Sequence, residues 1–343
     1  MAKRMTTRAL LMVSLAGFAL AAKADLVVLQ YHHVSDSTPP STSTSVSLFE
    51  GQLEMIGDLG IDVVPLESGT RDALDGKLDN RKQVAITFDD AYDSVYSSAA
   101  PELEKRGYPY TIFVNTDAIG SHGYMTWSQL EEVRDRSGVT IANHSEDHGH
   151  LAKRPDESRG GWVQRVESSL DTAQQTLADK LGIDVPMFAY PYGEFDEALE
   201  AKLTERGWLG YGQQSGAIGA TSEATRLPRF PMANAYGQLN SLKDKLRSKA
   251  LPVDASELPD GVIEENPPTL SFTVPDSINV DRLTCFASGQ GRVDFEVSGD
   301  KVILKAPKSF NSRRFRYNCT HPAPDGSFYW LSQQWLDLSK PED

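Results

Sequence analysis

The chain of 343 residues carries 34 Lys and Arg against 48 Asp and Glu, a formal charge of −14 near neutrality. So acidic a balance argues against binding that rests on Lys and Arg meeting phosphates, as in nucleic-acid recognition. The length suits two domains.

Residues 1–24 read as a secretory signal peptide. Lys3, Arg4 and Arg8 lead an apolar stretch from Ala9 to Ala22, and Ala22-Lys23-Ala24 offers a small-x-small cleavage site. That stretch is too short to span a bilayer comfortably, and no later segment is apolar enough to cross one. Cleavage would remove four cations and leave a formal charge of about −18. The protein is therefore expected to be exported, to the periplasm or beyond the cell. In that setting Cys285 and Cys319 are most simply a disulfide closing a loop of roughly 35 residues. Thiolate metal ligation is the alternative, with only His321 nearby.

From Asp25 to about Ala250, strand-like and helix-like segments alternate. "DLVVLQYH" reads as a first strand, and Ser47-Leu48-Phe49-Glu50 as a capping box opening a helix with Phe49, Leu53, Ile56 and Leu59 on one face. "VAITFDD" is the next strand, followed by a helix stopped at Lys105-Arg106-Gly107. "YTIFVNT" is a strand, Thr126-Trp127-Ser128-Gln129 caps a helix, and "VTIAN" is a strand again. The longest helix is predicted from about Gly161 to Leu181 on the spacing of Val163, Val166, Leu170, Ala173, Leu177 and Leu181. "MFAYPYG", a helix through Leu199 and Leu203, and "LGYGQQ" continue the pattern. Such alternation predicts an α/β fold with a mostly parallel sheet, open or closed into a barrel, and functional groups at the carboxyl ends of its strands.

Residues 251–268 are acidic and proline-rich and read as a linker. Beyond them "LSFTV", "RVDFEV", "KVILKA", "RFRYNCT" and "FYWLSQQWL" predict a small β-sandwich over residues 269–343. In the last of these, alternation places Tyr329, Leu331, Gln333 and Trp335 on one face and Trp330 on the other, so at least one tryptophan belongs to a core. A structural or docking role is favoured there over glycan binding by Phe328, Tyr329, Trp330 and Trp335.

The chemistry concentrates at two strand ends. Asp89 and Asp90 stand side by side after "VAITF", where two carboxylates persist only if something compensates their repulsion and lost hydration. His144 and His148 follow "VTIAN" at i and i+4. Two imidazoles and a carboxylate are a common set for catalytic zinc and leave a position open for water. Strand-end acidic pairs also hold Mg²⁺ for phosphoryl transfer, but that chemistry favours oxygen ligands and does not call for imidazoles.

Over residues 84–230 the sequence resembles the polysaccharide deacetylases of carbohydrate esterase family 4, with the NodB-homology domain. "TFDDAYDS" is similar to the family's first motif, "HSEDH" to its second and "FAYPYG" to the core of its third. The resemblance implies an irregular (β/α) barrel that removes N-acetyl groups from an amino-sugar polymer. It also implies roles: Asp90, His144 and His148 as ligands of a divalent metal, usually zinc; Asp89 as general base; the backbone N–H of Tyr192 as oxyanion donor.

Two features depart from the family pattern. The third motif lacks the Arg that orients the catalytic Asp; Arg229, in "LPRFP", is a candidate replacement and a surface Arg is the other reading. No C-terminal Leu-x-His motif supplies the general acid. Members with a circularly permuted barrel, including exported poly-N-acetylglucosamine deacetylases, carry that His on an N-terminal strand in a Tyr-His context. Tyr31-His32 matches it, so His32 is the proposed acid, with His33 second. His150 and His122 are read as neighbours of the site or exposed, Glu146 and Asp147 as facing solvent, Asp93 as a helix N-cap, and Trp127 as packing rather than stacking on sugar. The expected partner is an N-acetylated polysaccharide: poly-N-acetylglucosamine, chitin-like chains or peptidoglycan. A catalytically silent, glycan-binding relative is the alternative.

Overall fold

The computed structural model describes residues 25–78 and 81–342, so the expected signal peptide lies outside the described residues. Seven strands form the path of a curled sheet in the order Ala217–Ile218, Leu26–Tyr31, Gln83–Asp89, Tyr110–Val114, Val139–Asn143, Met187–Ala189 and Leu209–Tyr211. All neighbours on this path are parallel except Ala217–Ile218, which runs antiparallel to the first strand. Both faces of the sheet are covered, which is why its strands read as nearly continuous apolar runs. Val27, Leu29, Tyr31, Val84, Ile86 and Phe88 enter one core with the helix Val46–Asp58. Leu26, Val28 and Ala85 enter a second with Phe113, Ala189 and Tyr211. Alternation then puts Gln30, Thr87 and Asp89 on the same inner face.

The sheet does not close by direct pairing of its end strands. Its seam is bridged by the chain from Leu227 to Pro231: Leu227 pairs with Tyr211 on one side, and Phe230 with Leu29 on the other. Between these two anchors lies Arg229, buried completely.

Local signals were realised unevenly. Thr126 and Gln129 form a full capping box on the helix Trp127–Arg134. Arg159–Leu181 is the 23-residue helix, ending at Gly182 in the left-handed conformation. The first helix is instead capped by Ser45, which accepts from the Leu48 N–H, and Leu59 follows the helix as an exposed residue. The serine two positions earlier has the extended backbone a cap requires. Asp93 is not a helix cap; its carboxylate accepts from Gln129 Nε2 at 3.0 Å.

The C-terminal region is β-rich. A five-stranded sheet (Lys249–Ala250, Phe328–Leu336, Arg314–Pro322, Thr284–Ala287, Gly291–Val293) and a three-stranded sheet (Thr269–Thr273, Lys301–Lys305, Phe295–Ser298) share one core. "RVDFEV" is not a single strand: Gly291–Val293 belongs to one sheet and Phe295–Ser298 to the other, with the crossover at Asp294. Cys285 and Cys319 sit opposite each other on paired strands and form the disulfide. Residues 251–268 do not run free through solvent, since Leu251, Val253 and Leu258 are buried in the β-rich core. The final strand serves two cores. Trp335 fills the β-rich one, while Trp330 packs against the barrel, edge-on to Phe230 at 5.3 Å.

Candidate active site

The Gln83–Asp89 strand ends inside the barrel and the backbone turns at once: Asp90 (φ 73°) and Ala91 (φ 55°) adopt left-handed conformations. The turn lets the two carboxylates point to different surroundings. Asp89 is wholly buried, and its oxygens take a two-pronged contact from Arg229, Nη1 to Oδ1 at 2.7 Å and Nη2 to Oδ2 at 2.8 Å. Gln30 Nε2 donates to Oδ2 at 2.6 Å, and Arg229 Nε donates to the Gly212 carbonyl at 2.9 Å. Burial alone raises the pKa of Asp89, but the Arg229 guanidinium, with His144 and His32 nearby, outweighs it and holds the carboxyl well below its usual range.

Asp90 faces the histidines. Its Oδ1 lies 3.5 Å from His144 Nε2 and 3.3 Å from His148 Nε2. The loop that brings the histidines together is wound by its own polar side chains. Asn143 Oδ1 accepts from the Ser145 N–H at 2.8 Å, and Ser145 Oγ accepts from the His148 N–H at 3.0 Å. Ser145 and His148 also have positive φ, as does Tyr192. Among the described residues, every non-glycine residue with positive φ therefore lies in this site, and each conformation costs about 1–3 kcal/mol that the surrounding fold must sustain.

The three side chains suit a cation. One ligand atom from each of Asp90, His144 and His148 falls within 4.8 Å of the others. His144 Nδ1 lies 2.7 Å from the Ala189 carbonyl, which can only accept, so the proton sits on Nδ1 and the Nε2 lone pair points into the site. That Nε2 and Asp90 Oδ1 are buried without a hydrogen-bond partner. Such orphaned atoms are costly unless another group satisfies them. Burial, then the neighbouring His144, push the His148 pKa down to about 4, leaving a neutral imidazole able to ligate.

Around this cluster the remaining candidates separate. His32 Nε2 stands 4.0 Å from Asp90 Oδ2 at the rim. His33 turns away and stacks on Tyr92 at 3.6 Å; burial, then His32, lower its pKa. A groove of about 330 Å³ opens beside Asp90 and His148, lined by Tyr92, Asp117, Tyr124 and Asp147. Tyr192 sits in the Pro191–Gly193 turn with its ring 4.6 Å from that of His148. His122 and Asp147 are exposed, Trp127 packs on the barrel core, and His321 lies in the β-rich region, bonded to the Asn279 carbonyl. Arg229 is thus not a surface residue.

Two residues escaped sequence reasoning. Gln30 is the one polar residue in an otherwise apolar buried strand, and that signal was available. Glu194 is buried directly after the Pro191–Gly193 turn, where it receives His150 Nδ1 at 3.0 Å and the guanidinium groups of Arg313 and Arg314. No local pattern announces it.

A curled, parallel-stranded barrel with an Asp-His-His cluster and an Arg-braced carboxylate at its strand ends defines a deacetylase-type α/β barrel. Residues 76–208 match the polysaccharide deacetylase family model. It is 26% identical over 195 residues to YxkH of Bacillus subtilis, covering 57% of this chain and 66% of the relative. The poly-β-1,6-N-acetyl-D-glucosamine N-deacetylase of Staphylococcus epidermidis is 26% identical over 167 residues, 45% of this chain and 56% of the relative. Among solved structures, IcaB from Ammonifex degensii superposes with a TM-score of 0.56 at 27% identity, covering 64% of this chain and 96% of that one. This chain spans between 36% and 66% of the length of the first curated relatives it matches. His32 and Arg229 both lie outside the stretch that the family model covers.

Proposed function

We propose that this protein is a divalent-metal-dependent N-deacetylase of an extracytoplasmic amino-sugar polysaccharide. The observation that carries this reading is the convergence of Asp90, His144 and His148, with two buried ligand atoms lacking partners, beside a carboxylate that Arg229 keeps ionised. Bound by those three side chains, a cation such as zinc would polarise the substrate carbonyl and acidify a water.

The protein's own groups divide the remaining work. Asp89 takes a proton from the attacking water as the new C–O bond forms. The backbone N–H of Tyr192 donates to the carbonyl oxygen as negative charge builds there, a contribution of a few kcal/mol in comparable sites. His32 gives a proton to the amine nitrogen as the C–N bond breaks. Acetate and a free amino sugar leave, and the water accounts for the added oxygen and hydrogens. The acidic Asp117 and Asp147 along the groove suit a chain that becomes cationic as it loses acetyl groups. Export rests on the sequence of residues 1–24.

The test is acetate release by zinc-reconstituted protein from β-1,6- and β-1,4-linked N-acetylglucosamine oligomers and from peptidoglycan. Release from at least one, abolished in Asp89→Asn, is expected. With metal bound and no release from any acetylated glycan, the chain would be a glycan-binding relative without activity.

A further inference from the structure

The β-rich region reaches into the site through one buried carboxylate. Arg313 Nε and Nη2 donate to Glu194 Oε1 and Oε2 at 2.8 and 3.1 Å, and Arg314 Nη1 donates to Oε1 at 2.7 Å. Gln334 Nε2, from the final strand, donates to the Gly193 carbonyl at 2.5 Å. These contacts clamp the residues on the carboxyl side of Tyr192. The Tyr192 ring is itself held between partners: His150 stacks on it at 4.0 Å with planes 4° apart, and Arg314 Cζ lies 5.3 Å from its centroid. His150 completes a circuit, because its Nδ1 bonds Glu194 and its chain position is two residues past His148.

This arrangement matters because Tyr192 sits at φ 57° and ψ 3°, a conformation a non-glycine residue holds only when its surroundings enforce it. Locally the turn is closed only by backbone bonds, from the Gly193 N–H to the Tyr190 carbonyl and from the Glu194 N–H to the Pro191 carbonyl, and its 3-10 segment has no side-chain cap. The side-chain contacts on Glu194 and Gly193 from the β-rich region come from residues more than 110 positions away in sequence.

We propose that Arg313, Arg314 and Gln334 are positioning residues of the active site, acting through Glu194 and Gly193 to hold the Tyr192 backbone beside His148. The β-rich region is then part of the catalytic apparatus rather than an appendage, and the barrel is incomplete without it. This inference rests on the deacetylase reading for its kinetic readout. Misplacing an oxyanion donor by an ångström or so is enough to cost on the order of 10²-fold in rate without altering ground-state binding.

The experiment uses the zinc-loaded full chain and a β-1,6-linked N-acetylglucosamine oligomer. Glu194→Ala strands two arginines and is at risk of not folding, so the primary variants are Arg314→Gln and Gln334→Leu, each keeping the Arg313–Glu194 pair. We expect kcat to fall 10- to 100-fold with KM and zinc affinity within about 2-fold, and Arg314→Lys to recover much of the loss. Unchanged kcat with a lowered Tm would reduce the contacts to ordinary docking, and a rise in KM alone would make Arg314 a substrate contact; either overturns the proposal. If the wild-type protein releases no acetate, the functional reading fails separately, and hydrogen exchange decides. Faster exchange at residues 191–194 in Arg314→Gln, with the barrel strands unaltered, supports positioning; unaltered exchange at that turn refutes it.

Discussion

Arg229 grips Asp89 with both arms of its guanidinium across 140 residues of chain, and neither side chain touches solvent. The Arg that the third motif lacks is supplied from the seam of the barrel, where Leu227 and Phe230 bind the two ends of the sheet together. Among the described residues, removing it leaves a buried carboxylate with Gln30 as its remaining side-chain hydrogen-bond donor. Arg229→Met is expected to lower stability by about 3–5 kcal/mol, the usual cost of stranding one member of a buried ion pair. Denaturant unfolding measures this, and acetate release should fall at least 10²-fold; a variant as stable and active as the wild type would show the pair to be dispensable.

If Asp90, His144 and His148 hold a divalent metal as proposed, its removal should have two consequences. Chelation should abolish acetate release and lower Tm, because a ligand present at 100 times its Kd stabilises the folded state by about 2.7 kcal/mol. His144→Ala should show neither effect on chelation, since its cluster no longer binds. Calorimetric zinc titration of both proteins separates these outcomes.

His32 stands at the rim rather than in the ligand triangle. Its replacement by Ala is expected to reduce kcat by 10²–10⁴-fold with zinc stoichiometry unchanged. Near-wild-type kcat would remove it as the general acid.

Glu194 ties stability to pH. Burial opposes its ionisation, but His150, Arg313 and Arg314 overcome that and pull its pKa down to about 2 in the folded state, against an ordinary value of about 4.3 when unfolded. A depressed carboxylate stabilises above its unfolded pKa, and this contribution disappears as pH falls from about 5 to about 2. Glu194→Gln should therefore be less stable than wild type at pH 7, with the difference narrowing toward pH 3. Urea midpoints measured across that range provide the comparison.

The disulfide joins directly opposed strands of the β-rich region. Replacing Cys285 and Cys319 by Ser should cost about 2–4 kcal/mol. If the β-rich region holds Tyr192 in place, the double variant should also lose kcat near its lowered melting temperature, which a temperature series of initial rates would detect.

Asp89–Asp90 and His144–His148 were legible because each pair occupies a few consecutive residues at the end of a strand, where backbone geometry alone brings neighbours to one rim. The strand–helix alternation was legible for a similar reason: periodicity and capping are local. The Ser45 cap, two residues from the expected one, marks the limit of that approach, since several serines near a helix start satisfy the same pattern.

What the sequence by itself determined is the α/β barrel and which polar groups meet at its strand ends: the Asp89–Asp90 pair, the His144–His148 pair and the Pro191–Gly193 turn, all encoded within short stretches. Tertiary structure decided what holds that centre in place. Arg229 reaches Asp89 only because the sheet curls until its ends meet, and Glu194 gathers His150, Arg313 and Arg314 only because the last strands dock on the barrel. A guanidinium–carboxylate contact needs complementary groups within about 3 Å and no particular separation along the chain, so its partners carry no periodic or local signature.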